Sequence, residues 1–264
     1  MDIRISDATS GKNLHIGFTA GLSVECAFFP PEGDVALVDI LPEIFTISNE
    51  LIGQALSQAG AEGLRLSCDR GCVSCCYQLI VMSDHEALLL AHIVSLMEPN
   101  EQARIKGALK SMLQVLEQNG LLAELIDSHA NCFSDSDRLV EMQKKYWELQ
   151  LPCPFLVDRL CSIYQFRPLV CRQYIVSSPS SCCAQIFKPD NSVKKIPLLY
   201  DVASAVASFN GVAAKPTLAV PIPAILLVNG LLESFPRPKS NAEEMIAAFL
   251  AHLEQNFTRS ATSK

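Results

Sequence analysis

Apolar residues recur at three- and four-residue steps through most of this chain. Between Leu37 and Ala59 they stand at Ile44, Ile47, Leu51, Ala55 and Leu56, which places them on one face of a helix. Gly60 and Gly63 supply its stop and a turn. The pattern returns after residue 83, where Ser83, Asp84, His85 and Glu86 read as a capping box: Ser83 accepts from the backbone of Glu86 while Glu86 reaches back. The helix it opens runs to about Met97 and carries Leu88, Leu89, Ala91, Val94 and Leu96. Another begins near Asn100, with Ile105, Leu109, Met112, Leu113 and Leu116 on one side. Gly120 interrupts it, and Leu121 to His129 resumes. Ser134 starts a further helix whose Leu139, Met142, Tyr146 and Trp147 share a stripe, and Asp135 with Asp137 read as its N-terminal charges. Leu198 to Phe209, Ala224 to Leu232 and Ala242 to Gln255 complete the set, the last opened by a second capping box from Ser240 and Glu243. Such stripes are core-packing faces.

Two stretches break this rhythm. Residues 14–28 are rich in β-branched and aromatic residues around Gly21 and predict a short hairpin, ended by Pro30 and Pro31. Pro152 and Pro154 bracket Cys153, and from there to Pro189 the chain reads as irregular, with Pro168, Pro179 and several serines. Loops of this kind can turn sharply enough to bring ligands together. The expected fold is therefore mainly α: a helical domain with irregular cysteine-rich metal-site loops and a short N-terminal β-hairpin. Its expected segments are 1–63, hairpin and helix; 64–190, the cysteine-rich domain; and 191–264, a helical segment packed on the same core. Residues 258–264 are expected to fray.

Composition narrows the function classes. With 49% hydrophobic residues in 264, the chain can bury a substantial core and is not expected to be disordered. A net charge of −7, with no basic cluster, speaks against nucleic acid or an anionic membrane surface as a partner. The amino terminus lacks the apolar core of a secretory signal. The most apolar stretch, Leu218 to Leu232, is broken by Pro221, Pro223, Asn229 and Gly230, so no membrane span is expected and the expected compartment is cytoplasmic. In a reducing cytosol, eleven cysteines, an odd number, lean towards metal or redox chemistry rather than disulfides.

Their spacing sharpens that reading. Cys68, Cys72, Cys75 and Cys76 fall in one short run, and Cys153, Cys161 and Cys171 follow far downstream. Cys72 and Cys75 have the spacing with which two thiolates grip one ion, and Cys76 adds a third from the same turn. All-sulfur donors suit zinc or an iron–sulfur cluster and disfavour calcium and magnesium. Seven thiols exceed the four that one tetrahedral ion or one cluster takes, so two sites, a bridged cluster or spare thiols remain open. His85 and His92 sit on a helix and are left out of the ligand set. Arg70, Arg167 and Arg172 flank the cysteines; guanidinium groups there would offset thiolate charge.

At Cys72-x2-Cys75-Cys76, at the CPFL of 153–156, and at Cys161, Tyr164, Arg167, Pro168, Cys171, Arg172 and Tyr174, the chain resembles the YkgJ-type cysteine-cluster family, a zinc- or iron-chelating domain named for a CxxCxxCC pattern. The likeness covers about residues 64–185. It implies that Cys68, Cys72, Cys75, Cys76, Cys153, Cys161 and Cys171 bind the metal. Cys182 falls about where the family often has one more cysteine and is read as an eighth ligand. Three residues separate Cys68 from Cys72 where the family usually has two. Cys26 and Cys132 lie outside the pattern and read as buried apolar residues.

The function expected first is a metal-binding protein, holding zinc or an iron–sulfur cluster in a structural, carrier or redox role. A second reading is an enzyme, because the family's cysteine core is similar to that of flagellin lysine N-methylases, which implies metal-dependent methyl transfer to protein lysines. The chain has no Gly-rich strand–turn–helix for a methyl donor: Gly17 with Gly21, and Gly60 with Gly63, lack that context. A third is a structural zinc module that presents helices to a protein partner.

Overall fold

Wherever the apolar period and a capping residue coincide, helix forms. The structure, a computed structural model, describes residues 1–130 and 136–259. Its first elements are strands β1 (Asp2–Asp7), β2 (Lys12–Gly17), β3 (Ser23–Phe28) and β4 (Asp34–Val35), then helix α1 (Leu41–Ala61). After the first cysteine cluster come β5 (Val81–Ser83) and helices α2 (Asp84–Leu96), α3 (Pro99–Gln118), α4 (Leu121–Ala130) and α5 (Ser136–Glu148). The second cysteine region holds β6 (Leu156–Val157), β7 (Leu160–Cys161), α6 (Leu169–Gln173) and α7 (Ser180–Cys183). The chain continues through α8 (Val202–Ala207), β8 (Ala219–Pro221), α9 (Ile225–Ser234), β9 (Ser240–Asn241) and α10 (Ala242–Asn256). The fold is mainly α, as expected. Cys132, Ser134, Asp135 and residues 260–264 lie outside the described residues.

The chain forms two compact units, one of residues 1–65, 196–217 and 236–264, the other of residues 66–195 and 218–235. In the first, β1, β2 and β3 make an antiparallel three-stranded sheet in that order. Only the β2–β3 hairpin was expected. β1 does alternate, with Ile3 and Ile5 between polar residues, but two half-buried apolar positions are too few to set a strand apart without its pairing to β2. Leu14, Ile16, Val24 and Phe28 form the sheet's inner face, and Cys26 on β3 is only half-buried. Helix α1 buries Ile44, Ile47 and Leu51 as the period predicts, leaving Ala55 and Leu56 half-buried. The helix expected over Leu198 to Phe209 shortens to α8, whose N-cap Asp201 accepts from the Ser204 amide at 3.2 Å. The capping box expected of Ser240 and Glu243 does not form: Ser240 pairs with Val35 in a two-stranded ladder, and Asn241 caps α10 by accepting from the Glu243 amide at 2.9 Å.

One polar group inside this unit carries a pH dependence. His252 of α10 is buried, with Nε2 3.0 Å from Ser208 Oγ and Nδ1 3.2 Å from the Asn256 amide nitrogen. The Ser208 hydroxyl lies 2.8 Å from the Ser204 carbonyl and donates to it. Nε2 then carries the proton and Nδ1 accepts, which is the neutral imidazole. Burial holds His252 below its ordinary value of 6.5. The unfolded chain therefore takes up this proton at a higher pH than the folded one, and stability is lost as pH falls below about 6.5. In thermal melts between pH 8 and 5, the wild type should lose stability relative to His252→Gln; parallel curves would refute a buried imidazole held neutral.

In the second unit the capping box forms as expected: the Glu86 amide donates to Ser83 Oγ at 3.2 Å, and the Ser83 amide donates to Glu86 Oε2 at 3.1 Å. The face that α2 buries is displaced from the expected one. Ala87, Leu90, Ala91 and Val94 point inward, Leu88 and Leu89 are half-buried, and Leu96 is 72% exposed. The strongly apolar stretch after Leu218 closes this core: β8 pairs antiparallel with β5, and Val220, Ile222, Ile225 and Leu232 are buried beside Leu90, Ile105, Leu109 and Phe155. A second cluster joins Met112 and Leu116 of α3 to Leu121, Leu125, Met142 and Tyr146 of α4 and α5. Among the described residues no helix is long and apolar enough to cross a membrane.

Candidate metal centre

The two cysteine regions come together in the second unit. The first opens where the Ser67 amide donates to the Val176 carbonyl at 2.9 Å and its hydroxyl to the Ser177 carbonyl at 3.1 Å. The chain then turns, with Cys72 donating to Asp69 at 3.0 Å and Gly71 at φ 87°, a left-handed backbone that suits glycine. A 3-10 turn over Ser74–Tyr77 carries Cys75 and Cys76. From the other side, the Cys153 amide donates to the Cys76 carbonyl at 2.7 Å, and Arg159 Nη2 donates to the Gly71 carbonyl at 2.8 Å. The Ser74 hydroxyl reaches the Ser180 carbonyl at 3.4 Å.

The downstream half is built on Phe155, which is fully buried and pins the chain between Cys153 and Cys161 to the core. β6 and β7 form a hairpin turned by Asp158 and Arg159, both left-handed at φ 48° and 62°. The Ser162 amide closes on the Phe155 carbonyl at 2.8 Å. Pro168 ends a 3-10 turn over Tyr164–Phe166 and leads into α6, which carries Cys171. Four residues of α7 bring in Cys182 and Cys183.

Electrostatic neighbourhood sorts the thiols into two sets that meet at Cys75. Cys75 acts on Cys76, Cys153, Cys161 and Cys171, several of which also act on one another. Cys68 and Cys72 act with Cys75, and all three act on Cys183. Burial dominates most of these groups. It pushes the Cys153 thiol up to about 12, Cys183 up to about 11 and Cys171 well above its usual range. The hydrogen bond between Cys75 and Cys76 makes this pair give up its first proton more readily and its second less readily. Arg167 acts against burial at Cys68, Cys75, Cys161 and Cys171 by favouring the thiolate.

The polar groups around the thiols are under-satisfied. Arg167 Nε is buried without a hydrogen-bond partner, and Gln78 Nε2 and Tyr174 Oη, also buried, have at most each other. Arg167 also lies over the Tyr164 ring at 4.2 Å. All three atoms can donate, and neutral thiols are weak acceptors. Thiolates bound to a metal would offer the acceptors these donors lack, so the residues present fit a sulfur-bound metal. Among the described residues, no three histidine, cysteine, aspartate or glutamate side chains stand close enough to hold an ion as they are.

Of the expected site residues, Cys68, Cys72, Cys75, Cys76, Cys153, Cys161 and Cys171 line this basin. Cys182 sits in α7 at intermediate exposure, while Cys183, its neighbour, is buried and faces Cys68, Cys72 and Cys75. Which thiol of this adjacent pair turns toward the others is an orientation that spacing does not give. Arg70 is exposed, whereas Arg172 is buried and donates from Nε to the Arg167 carbonyl at 2.9 Å and from another guanidinium nitrogen to the Gln165 carbonyl. His85 is buried beside Asp84, with 3.7 Å between Nε2 and Oδ1, and His92 is exposed. Cys26 belongs to the other unit.

Residues 67–190 match the family model described as CxxCxxCC, a putative zinc- or iron-chelating domain. No curated protein matches the chain, and no solved structure does.

Proposed function

We propose that residues 67–190 bind zinc or an iron–sulfur cluster through Cys68, Cys72, Cys75, Cys76, Cys153, Cys161 and Cys171, with α7 contributing a further thiol, Cys182 or Cys183. The observation that carries this reading is the meeting of two remote cysteine segments across the Cys153–Cys76 backbone hydrogen bond, 2.7 Å, beside the unpartnered Arg167 Nε. The two thiol sets suit two four-sulfur sites or one bridged centre with Cys75 between them. Loading requires side-chain rotation that closes the sulfurs on the ion, and the bound metal would cross-link loops that have little regular structure of their own. A structural role follows directly from that cross-link; carrier and redox roles use the same donors.

Anaerobic purification followed by elemental analysis tests the reading. Stoichiometric zinc in colourless protein identifies a zinc centre, and brown protein with stoichiometric iron and sulfide identifies a cluster. Material that neither retains transition metal nor takes up zinc, cobalt or iron under reducing conditions would falsify it.

A further inference from the structure

Glu86 has more bonds than its place in a capping box requires. One oxygen, Oε2, serves α2, accepting from the Ser83 amide at 3.1 Å and the Ser83 hydroxyl at 2.8 Å. The other, Oε1, leaves its own helix and accepts from the Leu169 amide at 2.7 Å. Leu169 is the first residue of α6, and Cys171 is its third. The residue before α6 is Pro168, whose side chain offers no acceptor, so the helix that carries Cys171 has no cap of its own. Glu86 is buried, and its position is therefore set by the α2 core around Ala87, Leu90 and Val94.

The same short helix is fixed from its other end. Arg172 donates to the carbonyls of Arg167 and Gln165, folding the 164–168 turn back on α6. Arg167, held by that turn, is the cation that favours the thiolate of four cysteines. Glu86 thus ties α2 to a single rigid piece that contains both Cys171 and Arg167.

We infer that Glu86 is a positioning residue of the thiol basin, holding Cys171 in place by capping α6 from α2; this rests on the metal-binding reading above. What matters is an acceptor at the length of a glutamate side chain, not its charge. Glutamine keeps an acceptor within reach of the Leu169 amide. The amide nitrogen that then replaces Oε2 cannot accept from the Ser83 amide, so that bond is lost together with the attraction to Arg172, and thermal stability falls. Aspartate keeps the charge but is one methylene too short to serve α2 and α6 together.

Cobalt(II) titration of the full chain under reducing conditions decides this, read by the thiolate-to-cobalt charge-transfer absorbance. Glu86→Asp should bind cobalt about 10–100-fold more weakly and with a smaller band per cobalt, the size of effect typical of residues that orient ligands. Glu86→Gln should keep the wild-type band and affinity despite a lower melting temperature. In a Cys171→Ser background, Glu86→Asp should add little, because the thiol it positions is gone. The reverse order, with Asp retaining cobalt and Gln losing it, overturns the proposal, as does a Glu86→Asp loss that adds in full to Cys171→Ser. If Glu86→Asp does not fold, Glu86→Gln decides by itself: a retained band supports the proposal and a lost one overturns it. Wild-type protein that takes up no cobalt, zinc or iron fails at the earlier step and removes both readings.

Discussion

Cys75→Ser and Cys171→Ser should lose metal and stability together, whereas Cys26→Ser should keep its metal. Cys75 stands between the two thiol sets, and Cys171 is a downstream thiol whose ionisation burial and Cys75 both oppose. Each serine removes a soft donor, and a neutral hydroxyl cannot replace it. A bound metal stabilises the fold by mass action, about 4 kcal/mol at a thousandfold excess over Kd. A variant that no longer loads should melt roughly 8–16 °C lower at that metal level, using the usual shift per kcal/mol for a chain of this size. Cys26 is on β3 in the unit that holds none of the other described cysteines, so its replacement leaves the thiol basin intact. Melts with and without added zinc read both effects. Equal metal content in Cys26→Ser and Cys171→Ser would show that the ligand assignment is wrong.

Phe155→Ala should cost about 3–5 kcal/mol, the usual loss for a fully buried aromatic side chain. Phe155 has no exposed surface and packs among Leu90, Ile105, Ile163 and Ile222. Its side chain is the fully buried anchor of the segment from Cys153 to Cys161, and its backbone carbonyl also holds the Ser162 amide. The loss should therefore appear twice: as a lower midpoint in guanidinium unfolding of metal-free protein, and as weaker zinc binding. A cost under about 1 kcal/mol would place Phe155 outside the core and remove the support assigned to the downstream loop.

Several features were readable before any coordinates because they depend on neighbours in the chain. The α2 capping box needs only Ser83 and Glu86 three residues apart, and it forms. The stripe Ile105, Leu109, Met112 and Leu116 is buried as its period implies. Where apolar residues surround a helix, the period no longer selects a face. α2 has leucines at 88, 89, 90 and 96, and packing against β8 and α9 buried Leu90 with Ala87, Ala91 and Val94 instead. Ser240 and Glu243 have the spacing of a capping box, but strand pairing with Val35 claimed Ser240 and left the cap to Asn241. Adjacent residues of a helix point about 100° apart, so which of Cys182 and Cys183 faces the thiols depends on how α7 packs on the Ser74–Tyr77 turn.

By itself the sequence determined the local geometry and the donor chemistry: helices at a 3.6-residue period, a turn at Gly63, and sulfur as the candidate ligand atom. The tertiary structure decided which distant pieces share a core. It brought residues 218–235 back onto the cysteine unit, joined Cys76 to Cys153 and lent a glutamate of α2 to the helix of Cys171. Spacing constrains only residues a few bonds apart; encounters across eighty residues are set by burial and backbone pairing of the whole chain.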